Sequence, residues 1–156
     1  MPRTDTREQG RPLFLENFLP HRLSMLSNRV SRQLASLYAR QFDLSIQEWR
    51  VLSVIAGHPG ASAELVCRVT EMDKVAVSRA VTRLLQKKRL QRRYAVNDKR
   101  RSVLRLTVQG QRIYERIVPL ARQFETRILS QLTQRDRKDL ERVLDKLDAA
   151  VAPIAR

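Results

Sequence analysis

Asp73-Lys-Val-Ala-Val-Ser-Arg-Ala-Val-Thr-Arg-Leu-Leu-Gln86, followed by Arg92-Arg-Tyr-Ala-Val96 and Ser102-Val-Leu-Arg-Leu106, carries more information than any other part of this chain. In the first stretch Val77, Val81, Leu84 and Leu85 recur at helical spacing and form an inner face, with Asp73 placed to cap the helix. The opposite side offers Lys74, Ser78, Arg79, Thr82, Arg83 and Gln86, which suit phosphates and base edges. After Leu90 the period changes to two, and the next stretches read as strands around a turn at Asn97-Asp98-Lys99. A basic helix followed by a short hairpin describes the second half of a helix-turn-helix and its wing. The wing tip, Asp98, Lys99, Arg100 and Arg101, is narrow and basic, and arginine there can enter a minor groove.

The flanks fit this centre. Ser62 caps a short helix carrying Leu65, Val66 and Val69, which makes the first helix of the helix-turn-helix. Before it, Ser45-Ile-Gln-Glu48 reads as a capping box opening a helix with Val51, Leu52 and Ile55 inside, stopped at His58-Pro59-Gly60. After Pro20, the residues Leu23, Leu26, Val30, Leu34 and Leu37 predict one long amphipathic helix over 20–41. Thr107 opens a helix to about Gln131, kinked at Pro119, and Thr133 opens a last one with Leu140, Leu144, Leu147 and Val151 on one side. The fold class is mainly α with a small β wing, in one winged helix-turn-helix domain. Residues 1–12 form a loosely ordered tail, 13–42 and 107–152 dimerisation helices, and 45–106 a DNA-binding lobe with its wing at about 90–106.

Charge gives the same division. The chain has 156 residues and a formal charge of +15. Between Asp73 and Arg105 lie twelve bases and two acids, so most of that excess sits in about one fifth of the length. Such clustering points to a polyanion.

Met72-Asp-Lys-Val-Ala-Val-Ser-Arg-Ala-Val-Thr-Arg-Leu-Leu85 and Asp98-Lys-Arg-Arg-Ser-Val-Leu-Arg-Leu-Thr107 resemble the multiple antibiotic resistance regulator (MarR) family of bacterial winged-helix repressors. The resemblance covers about 13–151 and includes that family's wing motif, Asp-x-Arg, at Asp98 and Arg100. It implies an obligate homodimer, built by interlocking first and last helices, on a pseudo-palindromic double-stranded DNA operator. Many members release DNA when a small, often aromatic, molecule binds between the dimer helices and the DNA-binding lobe. One departure is visible. Family members commonly carry two hydroxyl residues early in the recognition helix, where this chain has Val75 and Ala76, which can pack on thymine methyl groups instead.

A narrower resemblance rests on Phe18-Leu-Pro-His-Arg-Leu-Ser-Met-Leu-Ser-Asn-Arg-Val-Ser-Arg32 and Ser45-Ile-Gln-Glu-Trp-Arg50, which look like members governing catabolism of aromatic acids or their coenzyme A thioesters. Read from the residues, His21, Ser24, Asn28 and Ser31 share one helix side. Arg22 beside them can clamp a carboxylate or phosphate, and Tyr38 and Trp49 can stack an aromatic ring. The alternative is that these residues only pack an interface between helices and bond internally or to water.

Other classes fit poorly. With two histidines, one cysteine and four glycines, no metal-ligand spacing, nucleophile motif or phosphate-cradling loop is present, so neither an enzyme nor a resident cofactor is expected. Cys67 excludes an internal disulfide and fits a small apolar helix position in a reducing, cytoplasmic setting. No apolar run reaches the length of a membrane span. The nearer rival is an architectural or weakly specific DNA-binding protein without a ligand, since charge alone supports both.

Overall fold

The computed structural model describes residues 12–95 and 98–152, with the backbone alone for 95 and 98–101. The chain falls into two compact units, one running to Ile46 and the other starting at Gln47.

The first unit opens with a 3-10 turn at Leu15–Asn17 and continues as α1 (Leu19–Ser36) and α2 (Ala39–Phe42). The single helix expected over 20–41 is therefore two. Pro20 occupies the first turn of α1, where its missing N–H matters least. At the far end the Ser36 hydroxyl donates to the Gln33 carbonyl at 2.6 Å, a local bond that competes with the helix ladder. Tyr38 then leaves helical geometry (φ −129°) and is almost wholly buried. Asp43 ends α2 in the left-handed region (φ 48°). Only Ala35 of α1 is buried, whereas Leu19, Leu23, Met25 and Leu26 are exposed.

The second unit continues with α3 (Ile46–Gly57), α4 (Ala63–Thr70) and α5 (Lys74–Gln86), then the hairpin β1 (Leu90–Ala95) and β2 (Asp98–Leu106), then α6 (Val108–Leu129) and α7 (Gln134–Val151). Its helix starts follow local capping chemistry. Ser62 accepts from the Leu65 N–H at 3.2 Å, Asp73 from Ala76 at 2.8 Å and Thr107 from Gly110 at 3.0 Å. Thr133 and Asp136 form a reciprocal capping box at α7. The Thr133 hydroxyl and backbone N–H both donate to the Asp136 carboxylate and hold its pKa below the usual carboxylate range. This cap therefore contributes above the unfolded pKa and fades as pH falls through the lower folded one. Arg137 donates twice to the carbonyl of Leu129, the last residue of α6, at 2.6 and 3.1 Å, a cation where the helix dipole is negative. Pro119 lies inside α6 without ending it.

The core of this unit is Val51, Leu52 and Ile55 from α3, Val66 from α4, Val77, Val81 and Leu84 from α5, Leu90 and Leu104 from the hairpin, and Ile113 and Ile117 from α6. Each such side chain contributes about 1.5–3 kcal/mol on burial, so the inner face of α5 is held firmly. The α3–α4 connection joins the hairpin: Gly60 donates to the Leu104 carbonyl at 3.2 Å and Leu104 donates to the Ala61 carbonyl at 2.9 Å. None of the described residues of α7 is buried.

The hairpin differs from expectation in where its second strand begins. Leu90 faces Leu106 and Tyr94 faces Ser102, but Ala95 faces Asp98, so an irregularity lies at Tyr94–Ala95. The backbone of Asp98 and Lys99 is strand rather than turn, and Asn97 lies outside the described residues.

Candidate nucleic-acid interface

Two short helices and a three-residue connection build the surface. Glu71 ends α4 in the left-handed region (φ 52°), Met72 follows, and Asp73 caps α5. α4 and α5 pack on each other, and α5 also packs against β1. Because Val77, Ala80, Val81 and Leu84 are buried, the opposite face of α5 must look outward. That face presents Lys74, Val75, Ser78, Arg79, Thr82, Arg83 and Gln86, all exposed. Val75 is 59% exposed, an apolar group held in solvent among polar ones. Ala76 is half-buried at the flank, and its N–H is used by the Asp73 cap, so it stands apart from the residues grouped with it in the sequence.

Arg92, Arg93 and Tyr94 of β1 are exposed too. Arg92 shares a groove of about 340 Å³ with Lys74 and Ser78 of α5 and Glu64 and Cys67 of α4. This brings helix and wing stem to one place, which the sequence grouping of α5 with the wing tip missed. The adjacent bases at 92–93 were the available signal. The side chains of Asp98, Lys99, Arg100 and Arg101 lie outside the described residues.

Among the described residues, two of the clustered bases turn inward. Arg89 is 8% exposed, and the Lys87 ammonium lies 3.1 Å from the buried Glu48 carboxylate. Neither is offered to a polyanion. Counting charge along a sequence treats every base as exposed, which explains the overestimate.

The residues expected to hold a small molecule are distributed differently. His21 and Arg22 border an open groove of about 540 Å³ in the first unit, over an apolar floor that includes Leu19, Leu23 and Leu26. Ser24 and Asn28 are exposed and outside its lining, and Tyr38 is buried. Trp49 belongs to the second unit, where its ring stacks on Tyr114 at 5.8 Å between centroids. Among the described residues, no group of three or more His, Cys, Asp or Glu is placed to hold a metal, and no helix is long and apolar enough to cross a membrane.

Comparison with known proteins agrees with this architecture. Residues 42–101 match the model of the MarR family. The HTH-type transcriptional regulator BilQ of Clostridium symbiosum (strain WAL-14163) is 31% identical over 93 residues, 60% of this chain, and the chain spans 65% of that relative's length. The structure of a MarR/EmrR family transcriptional regulator from Acinetobacter sp. ADP1 superposes with a TM-score of 0.83 at 27% identity, covering 91% of this chain and all of that one. A mutant MarR from E. coli complexed with operator DNA gives 0.75 at 26% identity over 88% of this chain and 99% of that one. The match across the helix-turn-helix and wing, joined to a fold shared along most of the chain, makes this protein similar to the winged-helix transcriptional regulators of the MarR family.

Proposed function

We propose that the chain acts as a homodimeric DNA-binding transcriptional regulator, a repressor of a pseudo-palindromic operator, with α5 in the major groove and the wing on the adjacent minor groove. The observation that supports this reading best is the outer face of α5. It is exposed and carries Lys74, Ser78, Arg79, Thr82 and Arg83, while its back is locked into a core. A rigid basic helix keeps its register on a duplex, whereas a mobile one would bind without selecting sequence. Val75 and, at the flank, Ala76 offer methyl groups to thymine in place of hydrogen bonds. Asp98, Lys99, Arg100 and Arg101 are assigned to the wing contact, Arg100 to the groove itself. MarR of E. coli, similar in fold and 26% identical, has been crystallised as a mutant with operator DNA.

The test is salt dependence. Operator affinity should fall steeply as salt rises, each phosphate contact adding about 0.9 to the log–log slope. Arg79→Ala and Arg83→Ala should each weaken operator binding, by about 1–3 kcal/mol where a base edge is read. Wild-type affinity in both variants at physiological salt would remove α5 from the interface.

The effector in this reading is an aromatic carboxylate or its coenzyme A thioester, held near His21, Arg22, Ser24 and Asn28 of the first unit. Arg22 supports this most. It edges an apolar groove and is exposed, and its guanidinium has no hydrogen-bond or ion-pair partner among the described residues. A ligand can weaken DNA binding only by the difference in its affinity for the two states, typically ~1–3 kcal/mol, or about five- to 150-fold. Benzoate and benzoyl coenzyme A are suitable probes. Arg22→Ala should abolish the response and leave ligand-free DNA binding intact, and Arg22→Lys should restore it in part. A stable, fully inducible Arg22→Ala protein would exclude Arg22 from the site.

A further inference from the structure

Lys87, Lys88 and Arg89 connect the two elements assigned to DNA, since α5 ends at Gln86 and β1 begins at Leu90. We propose that this turn is a fixed corner setting the angle between recognition helix and wing, and that Glu48 is a positioning residue holding it through Lys87. The inference rests on the DNA-binding reading above and extends it to a residue on another helix.

The corner is tied internally first. Arg89 donates to the Leu84 carbonyl at 2.8 Å and Lys88 to that of Leu85 at 3.0 Å, with Lys88 in the left-handed region (φ 54°). This is a Schellman ending, and it uses the last carbonyls of α5. Two other helices then grip it. From α6, the Thr107 hydroxyl donates to the Lys88 carbonyl at 2.7 Å and its N–H donates to the Arg89 carbonyl at 3.1 Å. From the first turn of α3, Glu48 reaches Lys87 at 3.1 Å, with the carboxylate side chain 3% exposed and the lysine 28%. α3 and α6 are themselves joined by the stacked rings of Trp49 and Tyr114.

A buried carboxylate requires a compensating charge or hydrogen bonds, so its pairing with Lys87 fixes where the end of α5 can lie. Apolar packing along Val77, Val81 and Leu84 holds the helix down but resists rotation or sliding less specifically than a directed ion pair. The wing leaves the corner within one residue, so a shift at Lys87 moves both DNA elements relative to each other. Two elements at a wrong angle can still touch phosphates separately, but they cannot both keep register on one site. Glu48 should therefore influence sequence selection without touching DNA.

The experiment uses full-length protein with Glu48→Gln, Lys87→Gln, Lys87→Arg and the Glu48→Gln/Lys87→Gln double variant. Affinity is measured across a salt series for the selected operator and for unrelated DNA of equal length. In Glu48→Gln, operator affinity should fall about tenfold, the order of losing one base pair's readout, with unrelated DNA and the salt slope unchanged. Lys87→Gln should lose the same factor, Lys87→Arg less, and the double variant no more than the worse single one. Hydrogen exchange without DNA supplies a second readout: Glu48→Gln should speed exchange of the Lys88 and Arg89 amides. If Lys87→Gln lowers the salt slope by about 0.9 and weakens both DNAs equally, Lys87 is a phosphate contact and the proposal fails. Unchanged amide exchange in Glu48→Gln overturns it as well, even where that variant is too unstable for DNA titration. A wild-type protein that does not distinguish operator from unrelated DNA would refute the DNA-binding reading instead, while the exchange result still judges the corner.

Discussion

With Leu26→Arg and Leu144→Arg together, the chain should stop behaving as a dimer in light scattering and lose about a thousandfold or more in operator affinity. Both residues are exposed in the single chain, Leu26 at 60% and Leu144 at 44%, so neither change removes a contact from its own core. The need for a partner comes from the helices that carry them. α7 has 18 residues and none of them is buried, and α1, also 18 long, buries only Ala35. Isolated helices of such length are marginal in water, and most helical stability comes from packing an apolar face. In the proposed homodimer, a second copy covering Leu19, Leu23 and Leu26 of α1 and Leu140, Val143 and Leu144 of α7 would supply that packing. A chain that can no longer hold two half-sites together should fall toward non-specific affinity, which is typically weaker by roughly 10³–10⁷. A folding defect in the variant agrees with an obligate dimer. A dimeric variant with wild-type affinity would show that these stripes serve something else.

Gly110→Ala should lower stability by about 1–3 kcal/mol, which for a chain of this size is a fall of about 2–12 °C in melting temperature. The reason is close backbone approach. A Cβ on Gly110 would lie 2.0 Å from the carbonyl oxygen of Arg89, and backbone cannot swing aside as a side-chain tip can. The first turn of α6 must then lift from the corner at 87–89, which strains the Thr107 bonds to Lys88 and Arg89. Gly57→Ala is the control, because a Cβ there meets nothing within 4 Å and alanine favours the helix. The result expected is a large loss at Gly110 and none at Gly57. Equal melting temperatures for wild type and Gly110→Ala would remove the close approach from the account.

The parts legible from sequence were those governed by neighbours along the chain. Ser62, Asp73, Thr107 and Thr133 could be placed as caps because the N–H groups they accept lie three residues on. The outer face of α5 could be read because burial of Val77, Val81 and Leu84 dictates what lies opposite. What failed was set by distant contacts. The break before Tyr38 follows from burial of its ring, which does not disturb apolar periodicity. The hairpin irregularity at Tyr94–Ala95 left no trace in the alternation used to place the turn. Glu48 read as a local capping residue, and the lysine 39 positions away that its carboxylate also meets left no sign along the chain. Helical phase in α1 grouped His21, Ser24 and Asn28 with Arg22 beside them, and of these His21 and Arg22 border the groove.

The central claim is that α5 and the wing of two copies read one DNA site together, and a hydroxyl-radical footprint on DNA selected from a random pool tests it most directly. The account predicts two protected half-sites related by a dyad, centred about 34 Å or 10–10.5 base pairs apart, with protection lost in Arg79→Ala and Arg83→Ala. Protection that spreads evenly along the duplex as protein is added, with no selected sequence, would contradict it.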